Sequence, residues 1–507
     1  MERTPSRGLV TLAVMAATIM QTLDTTIANV ALPHMQGSLS ASQDQIGWVL
    51  TSYIVASAIA TAPTGWLAQR FGRKQVFIAS VLGFTVASML CGLAGSLDEI
   101  VAFRILQGLF GAALVPLAQT VLLDTYPPER HGPAMALWAT GTMIGPILGP
   151  TLGGWLTEHY NWRWVFYINL PIGLFAAAAL SAALPKATPQ RSARLDVLGF
   201  VFLSLAIGSL QLMLDRGETQ DWFGSTEIIV EAALAALGLY LFVAHTLTAK
   251  RPFLPPRLFR DRSYVAGLLM IGVVGVVMLS TSALLPPFLQ NLKGYPVVLI
   301  GMVMAPRGAG TMLAMLICGR LMHRVDPRAT IVAGLLFSAT SLLWMSNFSL
   351  DTTMQSIIWS GVLQGLGLGM VFVSLSTLTF ATLDPRDRPD ATALFSLVRN
   401  IGSSIGLALC IAYLSRGTQT AHAALVENVH VFNPAMAQYL NADGGLASSA
   451  GLALVEAEIQ RQAAMLALLA DFRAIALAVL LAMPLLLLFR LPRRRSAADA
   501  VDVPALD

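Results

Sequence analysis

Long apolar runs follow one another along the chain, separated by short polar segments. Each run is near the roughly 20 residues that a helix needs to cross a bilayer. The pattern predicts an all-α membrane protein with 14 transmembrane helices, at about residues 9–32, 46–66, 75–94, 100–123, 134–156, 164–184, 197–214, 228–246, 264–288, 297–318, 329–346, 354–381, 391–415 and 474–490.

Composition supports a membrane protein. Hydrophobic residues make up 55% of the chain and charged residues 12%, with a mean hydropathy of +0.67, whereas average soluble domains carry about 25% charged residues. Cys91, Cys318 and Cys410 fall in apolar runs without metal-ligand spacing, so we predict neither disulfides nor a metal site. The run after Arg3 and Arg7 has no convincing cleavage site, so we expect an uncleaved first span.

Basic residues predict the orientation. Of 32 Lys and Arg residues, 23 lie on the face that holds both termini and six on the other face. By the positive-inside rule, both termini are expected in the cytoplasm. Because these charges lie in short loops, the net charge of +4 does not indicate a nucleic-acid partner. Three arginines fall within spans, namely Arg104, Arg307 and Arg399.

The chain also repeats itself loosely. GWLAQRFGRK from Gly65 returns as GRLMHRVDPR from Gly319, an offset of 254 residues. LQGLFG returns as LQGLGLG, and Gly145 corresponds to Gly402, both at an offset of 257 residues. A near-constant offset predicts two six-span halves related by duplication, with two extra spans between them, a 6+2+6 arrangement.

This arrangement predicts four parts. They are a six-helix bundle at 1–185, two linker helices with basic loops at 186–262, a second six-helix bundle at 263–495 that includes a helical loop at 417–470, and a cytoplasmic tail at 496–507. In the loop, Asn433 followed by Pro434 is typical of a helix start. The loop is expected on the side away from the cytoplasm, either as a solvated helical hairpin or as a docking surface for a partner.

Asp24 is the acid that lies well inside a predicted span. The other span acids fall near span ends, namely Asp124, Asp215, Glu231 and Asp471. An ionisable group inside the membrane is costly and indicates a functional site. A carboxyl whose surroundings alternate between water and protein can bind and release a proton. The alternatives are a static partner of Arg104 or a polar contact near the outer interface.

Other polar residues within spans are candidates for the transport cavity. Arg104 keeps its proton, so we expect it to tune a nearby carboxyl or bind an anionic group, with Gln107 one turn away. Arg307 and Arg399 either line the cavity or extend to the interface. Four further residues either line the cavity or bond between helices, namely Gln21, Asn29, Gln119 and Gln364.

Glycine and proline interrupt the fifth run, GTMIGPILGPTLGG. Its breakers are Gly141, Gly145, Pro146, Gly149, Pro150, Gly153 and Gly154. Within a membrane such residues are tolerated, and glycine lets helix backbones approach closely. We predict a bent helix packed against a partner at the centre of a transporter, with a generic glycine-rich contact as the alternative.

Motifs for enzymatic chemistry are weak. GSSIG at 402–406 matches a nucleophile-elbow pattern but lies in an apolar helical run without a preceding strand. No Lys follows a Gly, which excludes a GK[ST] phosphate-binding motif. We therefore predict a protein that is not an enzyme, needs no cofactor, and uses the proton gradient as its energy source.

Together these motifs resemble the major facilitator superfamily over nearly the whole chain. The resemblance rests on GWLAQRFGRK (65–74), RILQGLFGAAL (104–114) and GPILGPTLGG (145–154), and on LDTTIANVALP (23–33), which resembles the first-span signature of the fourteen-span drug:proton antiporter branch. More narrowly, residues 209–228, WRWVFYINLPIG (162–173) and the loop with VFNP are similar to EmrB-type inner-membrane subunits of tripartite multidrug exporters.

The resemblance implies an efflux antiporter in the bacterial inner membrane that exchanges amphipathic drugs for protons. It also implies a periplasmic adaptor (EmrA-like) and an outer-membrane channel (TolC-like). Asp24 would be the proton-coupling acid, with Arg104 and Gln107 in the relay. The alternatives are a proton symporter that imports a small solute and a non-transporting membrane receptor.

The resemblance further implies a gating loop, formed by Gly65, Gln69, Arg70, Gly72 and Arg73. In the family, the position of Gln69 usually holds an acid. We therefore expect the charged contact between the halves to be lost or replaced by an amide hydrogen bond.

Overall fold

The computed structural model describes residues 7–185, 195–250, 252–321, 324–384, 386–427, 429 and 449–489. Within these ranges the chain is helical and contains no β-strand. Predictions that concern residues 186–194, residue 251, the VFNP segment with Asn433 and Pro434, and the tail from 490 lie outside the described residues. We call residues 7–185 the first half and residues 252–489 the second half.

The first half contains eleven helices in its described residues. They are α1 (Arg7–Ser38), α2 (Gln43–Ile46), α3 (Trp48–Thr61), α4 (Thr64–Phe71), α5 (Arg73–Leu93), α6 (Leu97–Gly111), α7 (Leu114–Thr125), α8 (His131–Thr142), α9 (Ile144–His159), α10 (Trp164–Tyr167) and α11 (Asn169–Ala183).

Two long helices connect the halves, namely α12 (Val197–Arg216) and α13 (Thr226–Thr248). The helices of the second half are α14 (Arg262–Pro287), α15 (Val297–Leu321), α16 (Pro327–Met345), α17 (Met354–Phe380), α18 (Arg388–Val426) and α19 (Ser449–Ala482). Short 3-10 turns lie at Pro128–Arg130, Trp222–Gly224, Pro256–Arg260 and Met483–Leu488, and a π-helical turn at Phe288–Leu292.

Twelve helical stretches of the described residues are long and apolar enough to cross a membrane. The second and fifth predicted spans correspond instead to pairs of shorter helices, α3 with α4 and α8 with α9. The first pair is interrupted at Ala62 and Pro63, and proline removes a backbone donor that a continuous helix needs. The second pair is interrupted at Met143. The all-helical prediction is confirmed, whereas the count of 14 and the 6+2+6 order stay predictions.

The last predicted span and the helical loop before it form one helix. We expected a span at about residues 474–490, and α19 begins at Ser449 and continues to Ala482. Polar residues such as Glu456 and Glu458 lie in the first part of this helix, and Asp471 within it is 1% exposed. The placement of Asp471 near a span end stays a prediction. Here α18 and α19 run side by side, and His422 Nε2 lies 2.8 Å from Glu456 Oε1.

Close helix crossings organise both halves. In the first half α1 packs against α9 and α11, and in the second half α14 packs against α18. Gly145 on α9 lies so near α1 that an added Cβ would be 2.5 Å from the carbonyl carbon of Thr22. At the repeat-related position, a Cβ on Gly402 would lie 2.4 Å from the carbonyl oxygen of Gly272. Glycine is therefore required at the same place in both halves, because only hydrogen fits against the partner backbone.

The halves meet through two further sets of contacts. Helix α15 packs against α8 and α9, and α18 packs against α4 and α7. The linker helix α12 packs against α13 and α3. The glycine-rich α9 therefore contacts α1 within its own half and α15 across the interface.

We expect Gly145→Ala to lower the thermal stability of the purified protein. The new methyl group meets backbone, which cannot rotate away, so α1 and α9 must separate at a cost of about 1–3 kcal/mol. The control is Gly154→Ala on the same helix, where an added Cβ has no neighbour within 4 Å. Melting temperatures in detergent measure the difference, and equal values for the two variants would contradict the packing argument.

Candidate functional site

Asp24 lies at the centre of a buried cluster of polar side chains. Its Oδ2 accepts a hydrogen bond of 2.7 Å from Arg104 Nη1, and its Oδ1 accepts bonds of 2.8 Å from both Gln107 Nε2 and Asn169 Nδ2. All four residues are 0% exposed. The carboxylate therefore has one charged and two neutral donors and no contact with solvent in this conformation.

Arg104 is fixed on every side. Its Nε donates to the Val49 carbonyl oxygen at 3.0 Å, and its Nη1 also donates to Gln107 Oε1 at 2.7 Å. Its guanidinium carbon lies 4.3 Å from the centre of the Tyr53 ring, a cation–π distance. Arg104 and Gln107 are three residues apart on α6, which places them on one helix face. Because of this spacing, Gln107 forms hydrogen bonds with both Arg104 and Asp24.

Asn169 joins the cluster from α11. Its Nδ2 also lies 2.9 Å from Ser88 Oγ, which donates to the Phe166 carbonyl oxygen at 2.9 Å. Its Oδ1 has no hydrogen-bond partner. Asn169 was not predicted, although an amide inside an apolar run is the signal that selected candidates such as Gln119 and Gln364. Ser88 and Tyr53 were not predicted either, because no local pattern shows which helices surround Asp24.

The cluster has the physical properties of a protonation-dependent contact. Removing one partner of a buried ion pair costs about 3–5 kcal/mol, because the other charge stays buried without compensation. Protonation of Asp24 would remove its charge and weaken the bonds from Arg104, Gln107 and Asn169 together. These residues lie on α6 and α11, whereas Asp24 lies on α1, so a single proton can change the packing of three helices. The same geometry also fits a static ion pair.

The other predicted cavity residues do not join this cluster. Arg307 is 8% exposed and donates from Nη2 to Thr281 Oγ1 at 2.8 Å, and Arg399 is partly buried. Neither arginine has an ion pair among the described residues. Gln119 and Gln364 are 0% exposed, and both amide atoms of each lack hydrogen-bond partners. Two predicted residues lie on α1, where Gln21 is partly buried and Asn29 is exposed.

The predicted gating loop reaches the second half. Gln69 Nε2 donates to Asp390 Oδ2 at 3.0 Å, so an amide hydrogen bond takes the place of the charged contact. A Cβ on Gly65 would lie 2.9 Å from the Asp390 Cα, which explains the glycine. Gly72, with φ of +90°, makes the turn from α4 to α5. Arg70 is partly buried.

Ion pairs extend this contact between the halves. Asp124 of the first half pairs with both Arg73 and Arg388, and the Arg388 Nη1 to Asp124 Oδ1 distance is 3.2 Å. In the second half Arg257 lies 2.5 Å from Asp387. Thr120 and Thr392 share a buried hydrogen bond of 2.8 Å between the halves. The interface is therefore closed at the end that carries the loop.

The glycine-rich stretch lies along α1. Added Cβ atoms would lie 2.1 Å from Thr26 Oγ1 at Gly149, 2.9 Å from Ile27 Cγ1 at Gly153 and 2.8 Å from Met15 Cε at Gly141. Thr26 Oγ1 donates to the Gly145 carbonyl oxygen at 3.1 Å. Pro146 belongs to the same helix, and the side chain of Pro150 lies outside the described residues. The stretch packs against the helix that carries Asp24.

Known proteins share this architecture. The family model of the Major Facilitator Superfamily matches residues 14–407. Among solved structures, the human organic anion transporter MFSD10 superposes with a TM-score of 0.61 at 14% identity, covering 95% of this chain and 100% of that chain. The proton:xylose symporter XylE gives a TM-score of 0.59 at 14% identity, covering 91% and 94%. At these identities the likeness shows the fold alone.

Curated relatives are more similar. The chain is 36% identical to the multidrug export protein EmrB of Escherichia coli K12 over 439 residues, which cover 86% of each protein. It is 36% identical to the fatty acid resistance protein FarB of Neisseria gonorrhoeae over 421 residues, 83% of each. It is 26% identical to the colistin resistance protein EmrB of Acinetobacter baumannii over 399 residues, 78% of each. The chain therefore belongs to the Major Facilitator Superfamily and is an EmrB-type transporter.

Proposed function

We propose that this protein is a proton-coupled multidrug efflux antiporter of the bacterial inner membrane. Its substrates are amphipathic toxic compounds taken from the cytoplasm or the inner leaflet. The names of the relatives support this substrate class, since they refer to multidrug export, fatty acid resistance and colistin resistance. The observation that carries the proposal is the buried ion pair of Asp24 with Arg104.

Protonation of Asp24 supplies the coupling. In the ionised state three donors hold the carboxylate, and α1 is tied to α6 and α11. In the protonated state the attraction to Arg104 is lost and these helices can reposition. A proton and a drug that favour different arrangements then exclude each other, which is the thermodynamic basis of antiport. The electrical part of the gradient supplies about 2.3 kcal/mol per charge per 100 mV.

The contact between Gln69 and Asp390 belongs to the gate. Because the loop from Gly65 to Arg73 is basic, the positive-inside rule places it in the cytoplasm. The closed contacts at this end then describe a conformation sealed toward the cytoplasm. Opening to load a drug requires breaking the amide hydrogen bond and the ion pairs of Asp124 together.

A periplasmic adaptor and an outer-membrane channel complete the proposed exporter. One support is the resemblance to EmrB-type subunits. The other is the long helical extension formed by the end of α18, which continues to Val426, and the start of α19, which begins at Ser449. This extension lies on the face opposite the gating loop. Co-purification of the protein with an adaptor from membranes tests this part of the proposal.

Asp24→Asn is expected to abolish proton-driven export. In everted vesicles energised with a proton gradient, the initial rate of dye accumulation should fall to the level of empty vesicles, because Asn cannot exchange a proton. Exchange of substrate without a gradient should continue if the variant is folded. The control is Asp98→Asn, an exposed acid at the start of α6. Gradient-driven accumulation by Asp24→Asn at the wild-type rate would overturn the coupling role, and loss of dye from wild-type vesicles would favour import.

Gln69→Glu is expected to slow export about five-fold or more, because two carboxylates then face each other at the half interface. The double variant Gln69→Glu with Asp390→Asn keeps one acid and one amide in exchanged positions. It should recover most of the wild-type initial rate in the same vesicles. A double variant as slow as the single one would show that the hydrogen bond is not part of the gate.

A further inference from the structure

The second half contains a buried cation without a counter-charge. Arg307 lies near the middle of α15 and is 8% exposed. Its Nη2 donates to Thr281 Oγ1 at 2.8 Å and to the Met278 carbonyl oxygen at 3.5 Å. No carboxylate of the described residues pairs with it. A buried charge that lacks a partner is costly, so its presence calls for a ligand of opposite sign.

The internal repeat shows what this site lacks. The offset of 257 residues relates Gln107 to Gln364, and it relates Asp24 on α1 to Thr281 on α14. Both Asp24 and Thr281 accept a hydrogen bond from a buried guanidinium, of Arg104 in one half and of Arg307 in the other. The second half thus keeps the amide and has a hydroxyl where the first half has a carboxylate. Its buried cation comes from α15 instead, because the offset places Gly361 at the position of Arg104.

The helix that packs against Arg307 carries an amide without a hydrogen-bond partner. Gln364 on α17 is 0% exposed, and neither of its amide atoms has a partner. The helices are close here, since a Cβ on Gly365 would lie 2.1 Å from the Arg307 carbonyl oxygen and one on Gly361 3.5 Å from the Arg307 Cβ. The Nε and Nη1 groups of Arg307 donate no hydrogen bond within the described part of the chain.

The position also borders the interface between the halves. The residue that follows Arg307 is Gly308, and a Cβ on Gly308 would lie 2.3 Å from Ile147 Cγ1 of the glycine-rich α9. The part of α15 that carries Arg307 therefore lies at the contact between the halves. An ordinary structural arginine would instead be fully paired or would extend to the membrane surface.

We propose that Arg307, with Thr281 and Gln364, binds the acidic headgroup of an exported amphiphile. The guanidinium offers paired N–H donors that match a carboxylate or sulfonate. The inference rests on the proposed export function and names one class of its substrates, amphiphiles with a negative charge. Bound substrate then supplies the anion that Asp24 supplies in the first half.

The test uses two probes with the same tail and fixed, opposite charges, decane-1-sulfonate and decyltrimethylammonium. Binding of each labelled probe is measured on the full chain in lipid nanodiscs, with empty nanodiscs subtracted. Arg307→Gln should weaken sulfonate binding about tenfold or more and change trimethylammonium binding less than about two-fold, because only the anion pairs with the guanidinium. Arg307→Lys should give an intermediate loss, since it keeps the charge and loses the planar fork.

Thr281→Asp separates a binding role from a structural one. This change introduces a carboxylate beside Arg307 that competes with the sulfonate for the guanidinium. Sulfonate binding should therefore fall while the arginine and its helix contacts remain. The matched control is Arg320→Gln, which removes an exposed charge from the last turn of the same helix. It should bind both probes as the wild type does.

Three outcomes would overturn the proposal: wild-type protein that does not bind the sulfonate, equal loss of both probes in Arg307→Gln, or unchanged sulfonate binding in Thr281→Asp. These failures leave Asp24-dependent export of other drugs intact, so the proposed function would stand. The opposite result is also possible to distinguish. If Arg307 binds the sulfonate selectively while Asp24→Asn still exports at the full gradient-driven rate, proton coupling through Asp24 is rejected and the headgroup site at Arg307 stands.

Discussion

The ion pair between Asp24 and Arg104 is the constraint on which the first half depends. Two opposite charges are held at 0% exposure, where water cannot stabilise either of them. The pair is tolerable because Gln107, Asn169 and the Val49 carbonyl oxygen form further hydrogen bonds with it. These partners lie on separate helices, so the electrostatic requirement of one carboxylate fixes how α1, α3, α6 and α11 are arranged.

Glycine makes this arrangement possible. The helix that carries Asp24, α1, also packs closely against α9, and Gly145 and Gly149 permit that crossing. The second half uses Gly402 in the same way, where α18 crosses α14. The two halves therefore share a packing solution, while their polar centres differ in charge. Under the proposed function, one half would bind the proton and the other would bind the substrate.

Much of the fold and part of the site could be predicted from sequence. Apolar runs predicted the helices, the rarity of charge in those runs selected Asp24 and Arg104, and Gln107 was selected because it lies one turn from Arg104. The choice of neighbouring helices could not be predicted, because hydropathy does not encode which faces meet. Asn169 was missed for that reason. The continuity of the loop helix with the last span in α19 was not predicted for another reason, since a helix can continue from a polar environment into an apolar one without a local break.

Proton release on substrate binding tests the central claim most directly. A decyl amphiphile of fixed charge, either the sulfonate or the trimethylammonium, carries no exchangeable proton, so any proton released must come from the protein. It is added to weakly buffered purified protein with a pH indicator across a range of pH. Our account predicts release of up to about one proton per bound probe by the wild type, and none by Asp24→Asn, because the substrate favours the ionised carboxylate. Equal release by both proteins, or none by either while the probe binds, would contradict it.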